Sequence, residues 1–299
     1  MKQPLRYGIE SLLDAPASWQ QIRLAMVTND AAFTNSGVSS RLALLKCGYN
    51  IVKIFSPEHG ISAMGVDGAL QPNGIDTLTG LPVISLYGDK LAPTATDLED
   101  IDIVLFDIPD IGCRFYTYLW TMTEVMEACA MQHKEMIILD RPNPIGGMLS
   151  QAEGPMLDSN CTSFIGRWNI PLKHACTLGE LALYFCESRA LPLRLTVVPV
   201  QHYQRSFNAL NDFPFLPTSP AMRSVVSAFF YPGTGLLEGV NVNEGRGTAT
   251  PFAMFGAPWL KSAELLQLLL PTARAFTATH TEYIPKSGLY AGEACSGIA

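Results

Sequence analysis

Five short runs of nearly unbroken apolar residues, Ile22–Thr28, Ile51–Ser56, Leu81–Leu86, Ile101–Ile108 and Glu135–Asp140, punctuate the first half of the chain. Runs this apolar suit a parallel sheet covered by helices on both faces. Between them lie helix candidates. Ser36–Cys47 repeats apolar residues at helical spacing, and Thr121-x-x-Glu124 has the capping-box form at the head of an apolar stretch reaching Met131. This alternation predicts an α/β fold built on a doubly wound, mostly parallel sheet.

After Asp140 comes Arg141-Pro142-Asn143-Pro144-Ile145-Gly146-Gly147, which should neither continue a strand nor start a helix. The expected boundary lies there, dividing residues 1–146 from a smaller domain of residues 147–299. That second part should hold a helix opened by a capping box, Thr177-x-x-Glu180, and a strand over Leu193–Val200. A loop-rich stretch from Asp212 to Gly256 and a last helix over Ser262–Leu270 should follow.

With 48% hydrophobic and 16% charged residues in 299, the chain can bury a large core and is not predominantly disordered. Twenty Lys and Arg against 27 Asp and Glu give a net charge of -7, and no basic run suits a phosphate backbone, which argues against nucleic acid as a partner. No apolar run approaches the roughly 18–20 residues that span a bilayer. Lys2, Arg6 and Glu10 interrupt the first segment, so no signal peptide is read and the chain as written is expected in the cytoplasm. Seven cysteines without a C-x-x-C pair point to reduced, mostly buried thiols rather than disulfides or a zinc site.

In open α/β sheets ligands bind beyond the carboxyl ends of the strands. Here the second run leads into Ser56-Pro57-Glu58-His59-Gly60, the fourth into Asp107 through Arg114, and the fifth into Asp140-Arg141-Pro142-Asn143-Pro144. Each piece has an ordinary structural explanation as well: Asp110 as a helix cap, Asp140–Arg141 as a local ion pair, Glu58–His59 as a solvated turn. Their convergence on one edge favours a site. A Gly-rich segment further on, Leu237 to Thr248, adds Glu238, Asn241, Glu244 and Arg246. No phosphate-loop, dinucleotide, zinc-protease or serine-hydrolase motif is present. The remaining kit of carboxylates and arginines suits general acid–base work.

Ser-Pro-Glu-His-Gly at residues 56–60, Ser-Leu-Tyr-Gly at 85–88, Phe-Asp-Ile at 106–108 with Asp-Ile-Gly at 110–112, and Arg-Phe-Tyr-Thr-Tyr at 114–118 follow one another in order. Leu-Asp-Arg-Pro-Asn-Pro at 139–144, Glu-Gly-Pro at 153–155, Thr-Leu-Gly-Glu-Leu-Ala at 177–182, Tyr-Pro-Gly-Thr at 231–234 and Glu238 through Thr248 with Pro251-Phe252 continue the series. From about Tyr7 to Cys295 the chain thus resembles the exo-β-N-acetylmuramidases of glycoside hydrolase family 171, formerly domain of unknown function 1343. The resemblance implies a Rossmann-like domain followed by a smaller α/β domain, with the active site in the cleft between them. It also implies an enzyme that removes N-acetylmuramic acid from the non-reducing end of peptidoglycan fragments or muropeptides, with no nucleotide cofactor and no metal. The resemblance also implies a second domain that continues for several more elements beyond this chain's last residue, and it admits exported members. The family pattern has His-Gly-Met-Thr where this chain has His174-Ala175-Cys176-Thr177, and Asn where it has Ala221.

Within that frame Glu58 is the expected proton donor and Glu244 its partner carboxylate, with Glu153 and Asp107 as substitutes. Arg246 and Arg114, ahead of Arg141, are expected to hold the lactyl carboxylate, and Tyr116 and Tyr118 to stack on the sugar. His59, Asp110, Asp140, Asn143, His174, Glu238 and Asn241 complete the expected binding set. Two other readings are a non-catalytic muropeptide-binding protein and a metal-dependent amidase or esterase using His59, Asp107 and His174.

Overall fold

The structure, a computed structural model, describes residues 3–206, 215–271 and 277–299. It falls into two compact units, Met1–Pro220 and Ala221–Ala299. In the first, helix α1 (Gly8–Asp14) precedes strand β1 (Leu24–Thr28), α2 (Ser40–Lys46), β2 (Ile51–Ser56), β3 (Gly74–Ile75) and β4 (Pro82–Ser85). There follow α3 (Ala95–Leu98), β5 (Ile103–Asp107), α4 (Thr117–Met131), β6 (Glu135–Leu139), α5 (Leu178–Ser188) and β7 (Arg194–Val198).

These strands form one sheet in the order β3-β4-β2-β1-β5-β6-β7, parallel throughout except for the short β3 pairing antiparallel at the edge. The chain winds outward from β1 through β2 to β4, then returns to lay β5 on the other flank of β1. The six parallel strands thus have the 3-2-1-4-5-6 order of a Rossmann-like sheet, whose direction reverses between β1 and β5. Every residue of β1 and of β5 is buried, as their unbroken apolar sequences require. Leu24, Met26 and Leu105 are fully enclosed, worth about 1.5–3 kcal/mol each in removed apolar surface. Helix α1 closes on the sheet through Gly8, whose N–H donates to the Asp140 carbonyl at 2.9 Å. A Cβ there would stand 2.3 Å from the Val198 carbonyl oxygen, so only glycine permits that approach.

The expected boundary near residue 147 is not where the chain divides. Arg194–Val198 pairs parallel with Glu135–Leu139, so the segment after the Pro/Gly run supplies the last helix and strand of the first sheet. That run is a long crossover loop rather than a linker. The expected helix start at Thr121 is also corrected: α4 begins at Thr117, and Thr121 is fully buried inside it, its hydroxyl on the Thr117 carbonyl. The box at Thr177 forms with both reciprocal bonds. Of the seven cysteines, all free, Cys113, Cys129 and Cys295 are buried, whereas Cys161 is exposed and Cys47, Cys176 and Cys186 lie between, so the thiols are less buried than expected.

In the second unit, α6 (Val225–Thr234) leads through a short 3-10 turn to β8 (Phe255–Ala257), α7 (Ser262–Leu269), β9 (His280–Tyr283) and β10 (Cys295–Ile298). The strands make an antiparallel sheet in the order β8-β10-β9. Helix α6 corrects the expectation of loop over that stretch, whose residues 212–214 lie outside the described residues. Pro232 and Gly233 disguised it, yet Ser224 caps it by accepting from Ser227 N at 3.1 Å. Among the described residues no helix is long and apolar enough to cross a membrane.

Candidate active site

The turn after β2 carries Glu58. His59 and Gly60 both adopt positive φ, 67° and 68°, which reverses the chain sharply and presents Glu58 beside the N-terminus of α4. A positive φ at histidine is strain of the kind stored at functional sites. The carboxylate is buried yet fully engaged: Gly68 N donates to Oε1 at 3.0 Å and Thr117 Oγ1 to Oε2 at 2.7 Å. Tyr87 adjoins it, its hydroxyl pushed up to about 12 by burial first and then by the charge of Glu58 and the hydrogen bond to it. His59 points away, Nδ1 lying 2.8 Å from the Gly65 carbonyl oxygen and 3.7 Å from Asp67. Tyr87 and Thr117 belong to motifs visible in the sequence but were not expected at the site, and Gly68 was missed altogether, since a backbone N–H carries no residue signal.

The turns after β5 and β6 are tied together differently than expected. Arg141 does not pair with Asp140. Its guanidinium reaches across to Asp107, placing Nε on Oδ1 and Nη2 on Oδ2, and Nη2 also serves the Phe33 carbonyl at 2.8 Å and Ser40 Oγ at 3.0 Å. Adjacent residues point apart at a strand end, which is why the local pair does not form. Asp140 instead accepts from Thr177 Oγ1 and Gly179 N, both at 2.8 Å, at the head of α5, with burial pushing its carboxyl up to about 6 against those bonds. Asn143 is spent on the Cys176 carbonyl and Ile145 N. These residues brace the crossover.

Two further expectations change. Tyr118 is 0% exposed, its hydroxyl on the Thr218 carbonyl, and offers no face to a sugar; Tyr116 packs against it edge-on with its hydroxyl on Thr218 Oγ1. Glu153 is exposed, held only through backbone bonds to Lys173. Arg114 is buried with Nη1 on the carbonyls of Pro155 and Ile170 and pairs with no carboxylate among the described residues; desolvation lowers its pKa.

Asp110 and His174 meet beneath this edge. His174 Nδ1 accepts from Cys176 N at 3.2 Å, which leaves the hydrogen on Nε2. Nε2 stands 3.0 Å from Asp110 Oδ2 but out of line, so it forms no hydrogen bond. Gly112 N donates to Oδ2 at 2.9 Å, and Asp110 Oδ1 is without a partner among the described residues. Asp110 lines a cavity of about 190 Å³ bounded by residues following β1, β5 and β6, the switch point of the sheet. His59, Asp107 and His174, the trio of the metal-dependent reading, are engaged separately, and no three such side chains could share a metal ion among the described residues.

In the second unit Glu244 is buried, and burial holds its carboxyl above the ordinary value, outweighing its own backbone N–H and Arg246, whose Nε lies 2.7 Å from Oε1. Arg246 Nη2 also holds Glu238 at 2.8 Å, and its guanidinium lies 5.0 Å from the centre of the Phe252 ring. Arg246, expected with Arg114 and ahead of Arg141 to hold the lactyl carboxylate, is therefore committed to two carboxylates here. Asn241 is exposed and contributes its carbonyl to the Tyr290 hydroxyl.

The family model described as exo-β-N-acetylmuramidase NamZ, N-terminal, matches residues 24–226, and the corresponding C-terminal model matches residues 229–299. The chain is 39% identical over 305 residues to the peptidoglycan β-N-acetylmuramidase NamZ of Bacillus subtilis (strain 168), covering 99% of this chain and 72% of that one. Two crystal structures of DUF1343 family proteins from Bacteroides fragilis NCTC 9343 are similar. One has a TM-score of 0.90 at 34% identity, covering 98% of this chain and 76% of that chain. The other has a TM-score of 0.78 at 31% identity, covering 99% and 76%. With both family models matched in order along the chain and a relative 39% identical over 99% of it, this chain belongs to the exo-β-N-acetylmuramidase NamZ family.

Proposed function

We propose that this protein is a glycoside hydrolase that releases terminal N-acetylmuramic acid from the non-reducing end of peptidoglycan fragments, with Glu58 as the proton donor to the glycosidic oxygen. The observation that carries the reading is Glu58 itself, buried in the turn after β2 and fixed through both oxygens, in a chain that two muramidase family models match over residues 24–226 and 229–299. A carboxyl held in one geometry delivers its proton along one line, which is what general acid catalysis of a poor alkoxide leaving group needs. Among the described residues of the second unit, Glu244 is the buried carboxylate and the candidate for a second acid–base role.

The experiment is hydrolysis of a chromogenic β-N-acetylmuramoside, with and without chelator. Wild type should release the sugar in both conditions. Glu58→Gln should lower kcat by at least about 10²–10⁴-fold while sugar binding persists. A rate near wild type in that variant removes Glu58 from the mechanism. Glu244→Gln, assayed separately, tests the second carboxylate in the same way. Chelator-sensitive turnover would favour the amidase or esterase reading, and binding without turnover the non-catalytic one.

A further inference from the structure

Strands β2 and β4 run parallel and adjacent with Ser56 opposite Ser85, so Glu58 and Tyr87, each two residues further on, emerge side by side. Leu86 N donates to the Ser56 carbonyl at 2.8 Å and extends that pairing beyond the strand ends. The Tyr87 main chain is pinned on both sides. Its N–H donates to Ser85 Oγ at 3.1 Å, and its carbonyl accepts at 3.2 Å from Gln71 N, on the loop whose Gly68 N–H holds Glu58. The ring packs on Phe164, with centroids 5.7 Å apart, which the crossover after β6 brings in. Burial and then the Glu58 charge keep the Tyr87 hydroxyl protonated, so it meets the carboxylate as a donor.

We propose that Tyr87 is a positioning residue for proton donation, its hydroxyl fixed on the carboxyl of Glu58 where negative charge develops as the proton leaves. The inference rests on the reading of Glu58 as the proton donor. In that step the Glu58 O–H bond breaks and an O–H bond forms on the glycosidic oxygen. The electron pair of the breaking C–O bond stays with the leaving sugar, and Glu58 is left as a carboxylate. A fixed donor stabilises that carboxylate more than the neutral acid, which lowers the barrier of proton transfer alone. Gly68 N and Thr117 Oγ1 hold Glu58 from its own turn and from the head of α4. Tyr87 reaches it from the neighbouring strand, on a ring whose tilt Phe164 sets.

The test compares two β-muramosides, one whose leaving group is a second sugar, which needs the proton, and one whose leaving group is dinitrophenolate, which departs without it. Tyr87→Phe keeps the ring on Phe164 and deletes only the hydroxyl. It should lower kcat on the disaccharide by roughly 10–150-fold, the range of one hydrogen bond to a charged group, and leave the dinitrophenyl muramoside near wild type. A ring that only packed would slow both substrates alike or neither. The ratio of the two rates in one sample does not depend on how much of it is folded, so an unchanged ratio overturns the proposal. If Tyr87→Phe yields no folded protein, Phe164→Leu takes its place. That variant keeps the hydroxyl on a loosened ring and should move the ratio the same way by a smaller factor; an unchanged ratio there overturns the proposal too. Glu58→Gln on the same pair separates the two levels. If it slows the disaccharide alone while Tyr87→Phe leaves the ratio unchanged, only the role of Tyr87 falls. If wild type cleaves neither substrate, or Glu58→Gln slows neither, the reading of Glu58 falls and the role of Tyr87 with it.

Discussion

Ala175 shows how a single backbone angle carries information that its side chain hides. It sits at φ 56°, fully buried, between His174 and the Cys176 N–H that sets the His174 tautomer. The family pattern noted above has glycine there, and glycine adopts this conformation without the Cβ clash that costs other residues about 1–2 kcal/mol. Set against the extra freedom glycine gains in the unfolded chain, Ala175→Gly should stabilise the protein by about 0.5–1 kcal/mol, read as a higher denaturant midpoint at unchanged slope. A lower midpoint would mean that the neighbouring turn depends on the alanine methyl. At the same scale the sequence named Glu58 and Asp110 because each follows a strand in a polar turn, and His174 through the family pattern. It could not reveal that Asp110 Oδ1 has no partner among the described residues, since that follows from where Gly112 N and the His174 ring come to rest.

Helix α5 couples the site to the sheet. Its capping box ties Thr177 Oγ1 to Glu180 N at 3.2 Å and Glu180 Oε2 to Thr177 N at 3.0 Å, while the same Thr177 hydroxyl donates to Asp140. Gly179 presses so closely on Asp140 that a Cβ would lie 2.7 Å from its Cγ. Thr177→Ala removes a cap and leaves a buried carboxylate one donor short. The expected loss is about 1–3 kcal/mol, at the upper end of cap deletions, measured by chemical denaturation. Thr177→Ser should restore most of it. The box was legible because its spacing is local; the second role of Thr177 was not, because Asp140 arrives from 37 residues away.

Across the first unit, ion pairs between distant segments hold the strand-end loops. Arg41 of α2 is 2% exposed and binds Asp76, beyond β3, through Nε at 2.7 Å and Nη2 at 3.0 Å, and also Asp30 after β1. Burial works to raise the Asp76 carboxyl, but the bonds from Arg41 and Thr79 outweigh it and hold the group below its ordinary value of 3.8. A carboxyl depressed on folding contributes stability that is present above the unfolded value and lost as pH falls through the folded one. Wild type should therefore lose stability below pH ~4, and Asp76→Asn should flatten that acid limb while lowering stability at pH 7. Parallel acid limbs in the two proteins would show that Asp76 does not titrate with unfolding.

What the sequence by itself determined is the order and type of the elements in the first sheet. Apolar runs such as Ile51–Ser56 and Ile103–Asp107, and the Thr177–Glu180 box, are local patterns whose physical cause lies within a few residues. Ordered motifs along the chain likewise identified the family. Tertiary structure decided the rest. The division at residue 220 rather than 147 depends on β7 finding β6, and the exchange of Asp140 for Asp107 as partner of Arg141 depends on β5 and β6 lying side by side. The burial of Tyr118 depends on Thr218 reaching it from 100 residues away. Pairings of this kind are set by packing between segments remote in sequence, and no local spacing encodes them.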